Sequence, residues 1–553
     1  MVAAAALSPA AVSSQNNEYG NPVKRAPQPT VAEISANDLR TRLYIFADDS
    51  MQGRQAGRIG NQKGTAYIAR ELRRLGVEPA GDNGTYFQEL PAVVRKYTAK
   101  STLTVNGKQL RWLTDFVAVP GAGAPGPMTN VQVIYGGIAN DTTTLISAEQ
   151  AAGKLVVLSP PAPGQGRAGR GGGRGGRGGA FAGNDRLLEA AGVAIVDLHT
   201  LSTTARALIN DPPAAILYSR TGAAPQQPAR VMAPTFRITP EAAAQLLGKP
   251  LVGLAPGASG GTASAQLDFV EQPAGAYVRN VVGVIRGSDP TLRNQYVAVG
   301  SHNDHVGFTG NPVEHDSARA AASTALAMRM VDGELRNLSP EERAAIRVNV
   351  DSLRRIRPAR RDSINNGADD DGSGSMAMLE IAEAIARAST KPARSVLLVW
   401  HTAEERGLLG SAYFVERPTV PRDSIVAQIN MDMIGRGRAT DIPGGGEDYL
   451  AVVGSKILSP ELGELVAAVN QKQPRPLKLD YRFDDSISWQ GYNNIYGRSD
   501  HANYARHNIP IAFFFTGLHQ DYHQVTDEPQ YIDYPHYTRV TQYVHDLVRE
   551  VAN

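Results

Sequence analysis

Residues 396–407 read VLLVWHTAEERG: five apolar residues, then a histidine, then a pair of glutamates. A short apolar run rich in Val, Leu and Trp reads as a buried strand, and the polar cluster starts where the strand would end. The arrangement recurs. Residues 296–300 (YVAVG) run into Ser301, His302, Asn303, Asp304 and His305, and residues 425–431 (IVAQINM) run into Asp432. Residues 509–515 (IPIAFFF) lead through TGLHQDY to His523. A further strand is expected over 281–285. Helical stretches intervene, notably 375–387, and residues 537–551 carry Tyr537, Val540, Val544, Leu547 and Val551 as one stripe. Alternating strands and helices predict an α/β fold with a mostly parallel central sheet flanked by helices. In such sheets the working residues gather at the carboxyl ends of the strands.

Composition excludes several classes. At 553 residues the chain is long enough for several domains, and 42% hydrophobic with 20% charged residues rules out a wholly disordered chain. No apolar run approaches the ~20 residues that cross a bilayer, so no membrane span is expected. The balance of 56 basic against 54 acidic residues gives +2, which provides no global pull toward nucleic acid or anionic lipid. Cysteine is absent. There is therefore no disulfide, no thiolate nucleophile and no Cys-bound metal, and any metal must sit on His, Asp and Glu.

Four segments are expected. Residues 1–29 are small-residue apolar, then polar, and read as a clipped signal peptide or a flexible tail. Helical periodicity in 30–97, clearest over 64–75, suits the first part of the main domain. Residues 98–275 form short β-rich runs separated by Gly/Pro turns, with a Gly/Arg-rich stretch at 164–183. Arg-Gly repeats can bind RNA, but a single interleaved aromatic and no basic excess elsewhere favour a surface loop. Residues 276–553 complete the main domain. They carry an Arg/Ala-rich insert, 311–362, that reads as a helical hairpin.

Each polar cluster has a chemical and a plain reading. His302 would leave its strand end as an imidazole ligand, with Asp304 pointing back to the other ring nitrogen; alone, a polar turn explains the pair as well. The stretch GADDDGSG, 367–374, places Asp369, Asp370 and Asp371 before a helix. A helix N-terminus favours one acid, but three in a cleft call for a cation. Glu404 and Glu405 can split their duties between general base and metal ligand. Asp432 ends an apolar strand, where an unpaired carboxylate costs several kcal/mol. Together these residues suit two divalent ions bridged by one carboxylate, and the His/carboxylate mixture suits zinc better than magnesium or calcium.

In their order, HNDHVG, GADDDGSG, HTAEERGLLGS, INMDMIGR and GRSDHANY…DYHQVTDE resemble the co-catalytic di-zinc aminopeptidase family. Bacterial secreted aminopeptidases, aminopeptidase Y and the glutamate carboxypeptidases belong to it. The resemblance covers residues 34–90 and 277 onward, and the stretches GKLVVLSP and LLEAAGVAIVDL between them resemble the protease-associated domain. It implies a zinc exopeptidase fold and two zinc ions: His302 and Asp432 on one, Glu405 and His523 on the other, Asp370 bridging both. It implies Glu404 as the general base for a zinc-activated water, Asp304 as the residue orienting His302, and a cis peptide between Asp370 and Asp371. Arg498 and Tyr522 would contact substrate.

The expected function is therefore a zinc-dependent aminopeptidase acting on peptides, secreted or periplasmic. A carboxypeptidase of the glutamate-carboxypeptidase kind, a one-zinc glutaminyl cyclase and a receptor-like binding module are the alternatives. The insert lengthens the usual link from His302 to Asp370. His401 stands where an aromatic often precedes the Thr-Ala-Glu-Glu run, and it reads as structural.

Overall fold

The four apolar runs that precede polar clusters pair side by side. Ser395–His401, Tyr296–His302, Ile425–Met431 and Ile511–Phe515 lie in that order and all run parallel. Antiparallel strands flank this block: Arg279–Ile285 beside Ser395–His401, and Tyr449–Val453 beside Ile511–Phe515. Short strands Glu78–Pro79, Phe87–Glu89 and Lys478–Asp480 complete a nine-stranded sheet. The expected α/β sheet is thus parallel at its centre and mixed at its edges. The computed structural model describes residues 19–119, 126–139, 141, 143–160, 185–201, 213–218, 233–331, 334–335, 338–356, 358–442, 444–484 and 495–553.

Strand periodicity divides the sheet between two cores. Val281, Val297, Val299, Leu398 and Trp400 face one, while Val282, Val284, Ala298, Leu397 and Val399 face the other. The first core is covered by helices Ala36–Phe46, Ile59–Leu75, Gly374–Arg387, Pro460–Gln471 and Tyr534–Val551. Leu409–Glu416 and His501–Ala505 cover the second. Burying each large apolar side chain contributes about 1.5–3 kcal/mol, so the strands are held from both faces. Register is level at the functional edge: His302 pairs with His401, Gly300 with Asn430, and Met431 with Phe514.

The helix ends follow local chemistry. Ser35 Oγ accepts from the Asp38 amide at 3.1 Å. Ile59–Leu75 stops at Gly76, whose φ of +71° returns its amide to the last turn. The final helix starts at Tyr534, earlier than its stripe predicts, because Asp533 caps it and Pro535 occupies its first turn.

Residues 102–266 supply a second, eight-stranded sheet with its own core of Leu103, Phe116, Val133, Leu155, Val157, Phe236 and Leu246. A three-stranded ribbon links it to the first: Ala92–Tyr97 pairs with Phe269–Pro273 and with Ala215–Ile216. The Gly/Arg-rich stretch lies outside the described residues.

Two expectations need correction. The stretch 19–29, expected as tail, packs on the main domain. Asn21 Nδ2 donates to the carbonyls of Gln530 at 3.0 Å and Ile532 at 2.9 Å, and Tyr19 donates to Asp441 at 3.0 Å. Polar side chains that looked like tail composition are here spent on buried partners; residues 1–18, with the signal-peptide reading, fall outside the described residues. The insert is also not a plain helical hairpin. Its ends form an antiparallel ribbon, Gly307–Glu314 with Arg361–Asn365. Gly310, Asn311 and Pro312 disfavour helix there. Helices His315–Arg329, Pro340–Ala345 and Val350–Ile356 follow within it. Among the described residues, no helix is long and apolar enough to cross a membrane.

Candidate metal centre

The functional side chains leave the sheet at one edge. His302 is the last residue of its strand, Glu404 and Glu405 follow His401, Asp432 follows Met431, and His523 stands in the loop after Phe515. Asp370 comes from the turn before helix Gly374–Arg387, and its peptide bond to Asp371 is cis, as the resemblance implies. Three non-glycine residues beside the site are left-handed: Ala403 at φ 55°, Met433 at 57° and His523 at 56°. Such conformations cost about 1–3 kcal/mol each and persist where the surroundings over-determine them.

Two donor groups meet on Asp370. His302, Asp370 and Asp432 offer donor atoms within 4.8 Å of one another, as do His305, Asp370, Glu405 and His523. In the first group His302 Nε2 lies 3.2 Å from Asp370 Oδ1 and 3.6 Å from Asp432 Oδ1. In the second, His523 Nε2 is 3.1 Å from Asp370 Oδ2 and 3.0 Å from Glu405 Oε2, and His305 Nδ1 is 2.9 Å from Glu405 Oε1. All five residues expected as metal ligands are therefore brought together. His305 was not among them, although a second histidine three positions past His302 was there to be read.

The three aspartates divide their work. Asp370 alone faces both groups. Asp371 Oδ2 accepts from the His302 amide at 3.0 Å, and its Oδ1 accepts from the Gly374 amide at 2.9 Å. Asp369 Oδ1 accepts from the Gly435 amide at 2.7 Å, and its Oδ2 lies 3.1 Å from His519 Nε2. Backbone amides thus bond two of the acids, and an imidazole faces one of them, where the sequence suggested that a cation had to balance all three. Asp527, whose role the sequence did not disclose, accepts the amides of Asp369 at 2.9 Å and Asp370 at 3.0 Å.

Asp304 departs from its expected geometry. Its backbone carbonyl, 3.0 Å away, bonds His302 Nδ1, while its carboxylate stands at 3.8 Å. The carboxylate is drawn instead to the Glu404 amide at 3.1 Å. It still lies between His302 and Glu404, and burial pushes it up to about 7. His401 is enclosed by Asp500 and by Tyr504, whose hydroxyl is 3.0 Å from Nε2. It belongs to neither donor group.

Electrostatics separate the carboxylates. Burial works to raise Asp370, but His305, His302 and His523 outweigh it and hold it well below the usual range. Burial similarly opposes His523, and the Glu405 and Asp370 carboxylates lift that imidazole to about 10. Glu404 is pushed the other way. Burial raises it well above the usual range, with Glu405, Asp432 and Asp500 adding repulsion against the pull of His302. Burial and neighbouring charges thus push Glu404 and Asp370 in opposite directions.

A narrow pocket opens on the first group, lined by Asp370, Glu404 and Asp432 and walled by Met433, Ile495, Phe513, Phe515 and Leu518. Arg498 and Tyr522 complete it, the guanidinium 3.5 Å from the phenol oxygen. The Tyr522 ring stacks on His523 with centroids 3.9 Å apart.

The donor set fits divalent cations. His302 Nε2, both ring nitrogens of His305, Asp370 Oδ2 and Glu405 Oε1 are buried without a hydrogen bond. Unmet groups of that kind cost about 1–3 kcal/mol each, and imidazole with carboxylate is a donor mixture that zinc accepts.

Residues 280–548 match the family model described as Peptidase family M28. That match covers a little under half of the chain. Leupeptin-inactivating enzyme 1 of Streptomyces exfoliatus is 31% identical over 172 residues, 31% of this chain and 33% of that one. Leucine aminopeptidase 1 of Paracoccidioides brasiliensis is 28% identical over 211 residues, 35% of this chain and 51% of its own. The chain thus spans about a third to a half of the length of these relatives. Among solved structures, the zinc aminopeptidase BSAP from Bacillus subtilis aligns over 95% of this chain and 97% of its own, with 16% identity and a TM-score of 0.49.

Proposed function

We propose that the chain is a zinc-dependent aminopeptidase that removes residues from the amino termini of peptides. One observation carries the reading: two donor groups share Asp370 on the wall of a pocket that also holds Glu404. The match of residues 280–548 to the Peptidase family M28 model and a relative named leucine aminopeptidase support it.

His302, Asp370 and Asp432 would hold one ion, and Asp370, Glu405 and His523 the other. When bound, two such ions supply Lewis acidity and lower the pKa of a water. Glu404, in the pocket wall with Asp370 and Asp432, takes a proton from the attacking water and passes it to the leaving amine. The Tyr522 phenol is kept protonated, since burial raises it well above its ordinary value against the pull of Arg498. It donates to the oxyanion that develops on the scissile carbonyl. Met433, Ile495, Phe513, Phe515 and Leu518 would receive an apolar side chain. We read the eight-stranded unit as a protease-associated insertion and the chain as secreted or periplasmic, both on the sequence resemblance.

Arg498 in the pocket wall favours a second reading, a carboxypeptidase that grips a free carboxylate. A peptide panel blocked at either end separates the two. Aminopeptidase activity requires cleavage of carboxy-blocked peptides and none of amino-blocked ones; the opposite pattern selects the carboxypeptidase, and no cleavage of either overturns both.

A further inference from the structure

The two groups that meet on Asp370 are unequal. One offers His302, Asp370 and Asp432, and the other offers His305, Asp370, Glu405 and His523. We infer that His305 is itself a metal donor. Protein side chains then close the four-donor site, and the three-donor site keeps the position where water and substrate enter. This rests on reading both groups as cation sites.

Three observations carry it. His305 Nδ1 stands 2.9 Å from Glu405 Oε1 and 3.7 Å from Asp370 Oδ2, facing the same oxygens as His523 across 5.5 Å between ring centroids. Its ring is buried, its Nε2 has no hydrogen-bond partner, and its Nδ1 faces the Glu405 and Asp370 carboxylates that would share an ion with it. The ring is also seated by its surroundings. The His305 amide donates to the Arg54 carbonyl at 3.2 Å, and Gly367, at φ +57°, gives it room: a Cβ there would lie 2.5 Å from the His305 Cγ.

The pocket gives the asymmetry its meaning. Asp370, Asp432 and Glu404 line it, whereas His305, Glu405 and His523 do not. Sites with four protein donors are characteristically closed, while catalytic sites keep three and leave one position open. The general base and the apolar walls thus lie beside the group with the free position.

The test is zinc binding by the full-length, chelator-stripped protein. Asp432→Ala disables the three-donor group, so that one ion binds. Adding His305→Ala should weaken that ion at least about tenfold, the lower bound for disturbing a ligand's support. In the unsubstituted protein at one equivalent of zinc, X-ray absorption should count two imidazoles per ion, those of His305 and His523, and this measurement stands even if a variant does not fold. An unchanged constant, or one imidazole per zinc, overturns the inference and leaves His305 as an ion-pair partner of Glu405. If the unsubstituted protein takes up no zinc, the two-cation reading itself falls.

Discussion

Arg360, in the segment inserted between His302 and Asp370, donates from Nη2 to Glu528 Oε1 at 2.5 Å. The neighbouring Asp527 holds the amides of Asp369 and Asp370, and His523 rides on the same loop. The insert grips that loop elsewhere too. His315 Nε2 lies 3.4 Å from Glu528 Oε2, and Arg319 sits 4.0 Å over the Tyr531 ring. The segment between His302 and Asp370 is thus tied to the backbone of the shared aspartate.

Removing that tie should loosen the loop. Arg360→Ala is expected to cost about 1–2 kcal/mol, less than a fully buried pair because Arg360 is partly exposed. Zinc affinity should fall with it, since His523 is carried by the loop. Denaturant midpoints and zinc titrations measure both effects, and unchanged values for both would mean that the insert is only a cover.

Glu404→Gln keeps the shape of the side chain and removes its ability to take a proton. The variant should bind as much zinc as the parent and lose about 10²–10⁴ in kcat. Metal analysis beside steady-state kinetics reads the two quantities separately. Parental turnover would show that another group is the base.

Gly367→Ala tests the packing beneath the shared aspartate. A Cβ at this left-handed position would approach the Asp370 carbonyl oxygen to 2.3 Å. Overpacking of this kind costs about 1–3 kcal/mol, and the backbone conformation adds to it. A lowered melting temperature together with weaker zinc binding is expected. A parental melting temperature would show that the turn relaxes freely.

A pH dependence follows from the buried pair formed by Arg436 and Asp441, whose Nη2 and Oδ1 lie 2.8 Å apart. Burial works to raise Asp441, but Arg436 outweighs it and holds the carboxyl well below its ordinary range. The folded pKa is therefore below the unfolded value of about 3.9. The pair's stabilisation is complete above that value and is lost as pH falls beneath it. Asp441→Asn should destabilise the metal-free protein at neutral pH, and the gap from the parent should narrow below about pH 4. A gap independent of pH would assign the effect to packing alone.

Much of this site was legible along the chain. Each apolar run names its own strand, since burial of Val297, Val299, Leu398 and Trp400 depends on side chains the run itself carries. A polar cluster following such a run must fall at a strand end, so His302, Glu404, Glu405 and Asp432 could be picked out one by one. Asp370 and His523 came from the family pattern.

Which of those donors meet was decided elsewhere. The level pairing of His302 with His401 depends on two cores closing over both faces of the sheet, with helices drawn from distant parts of the chain. That closure recruited His305, turned Asp369 and Asp371 toward backbone amides, and drew the Asp304 carboxylate to the Glu404 amide. Composition and periodicity are short-range properties of a chain. The direction in which a buried side chain points is set by contacts that form only when remote segments pack together.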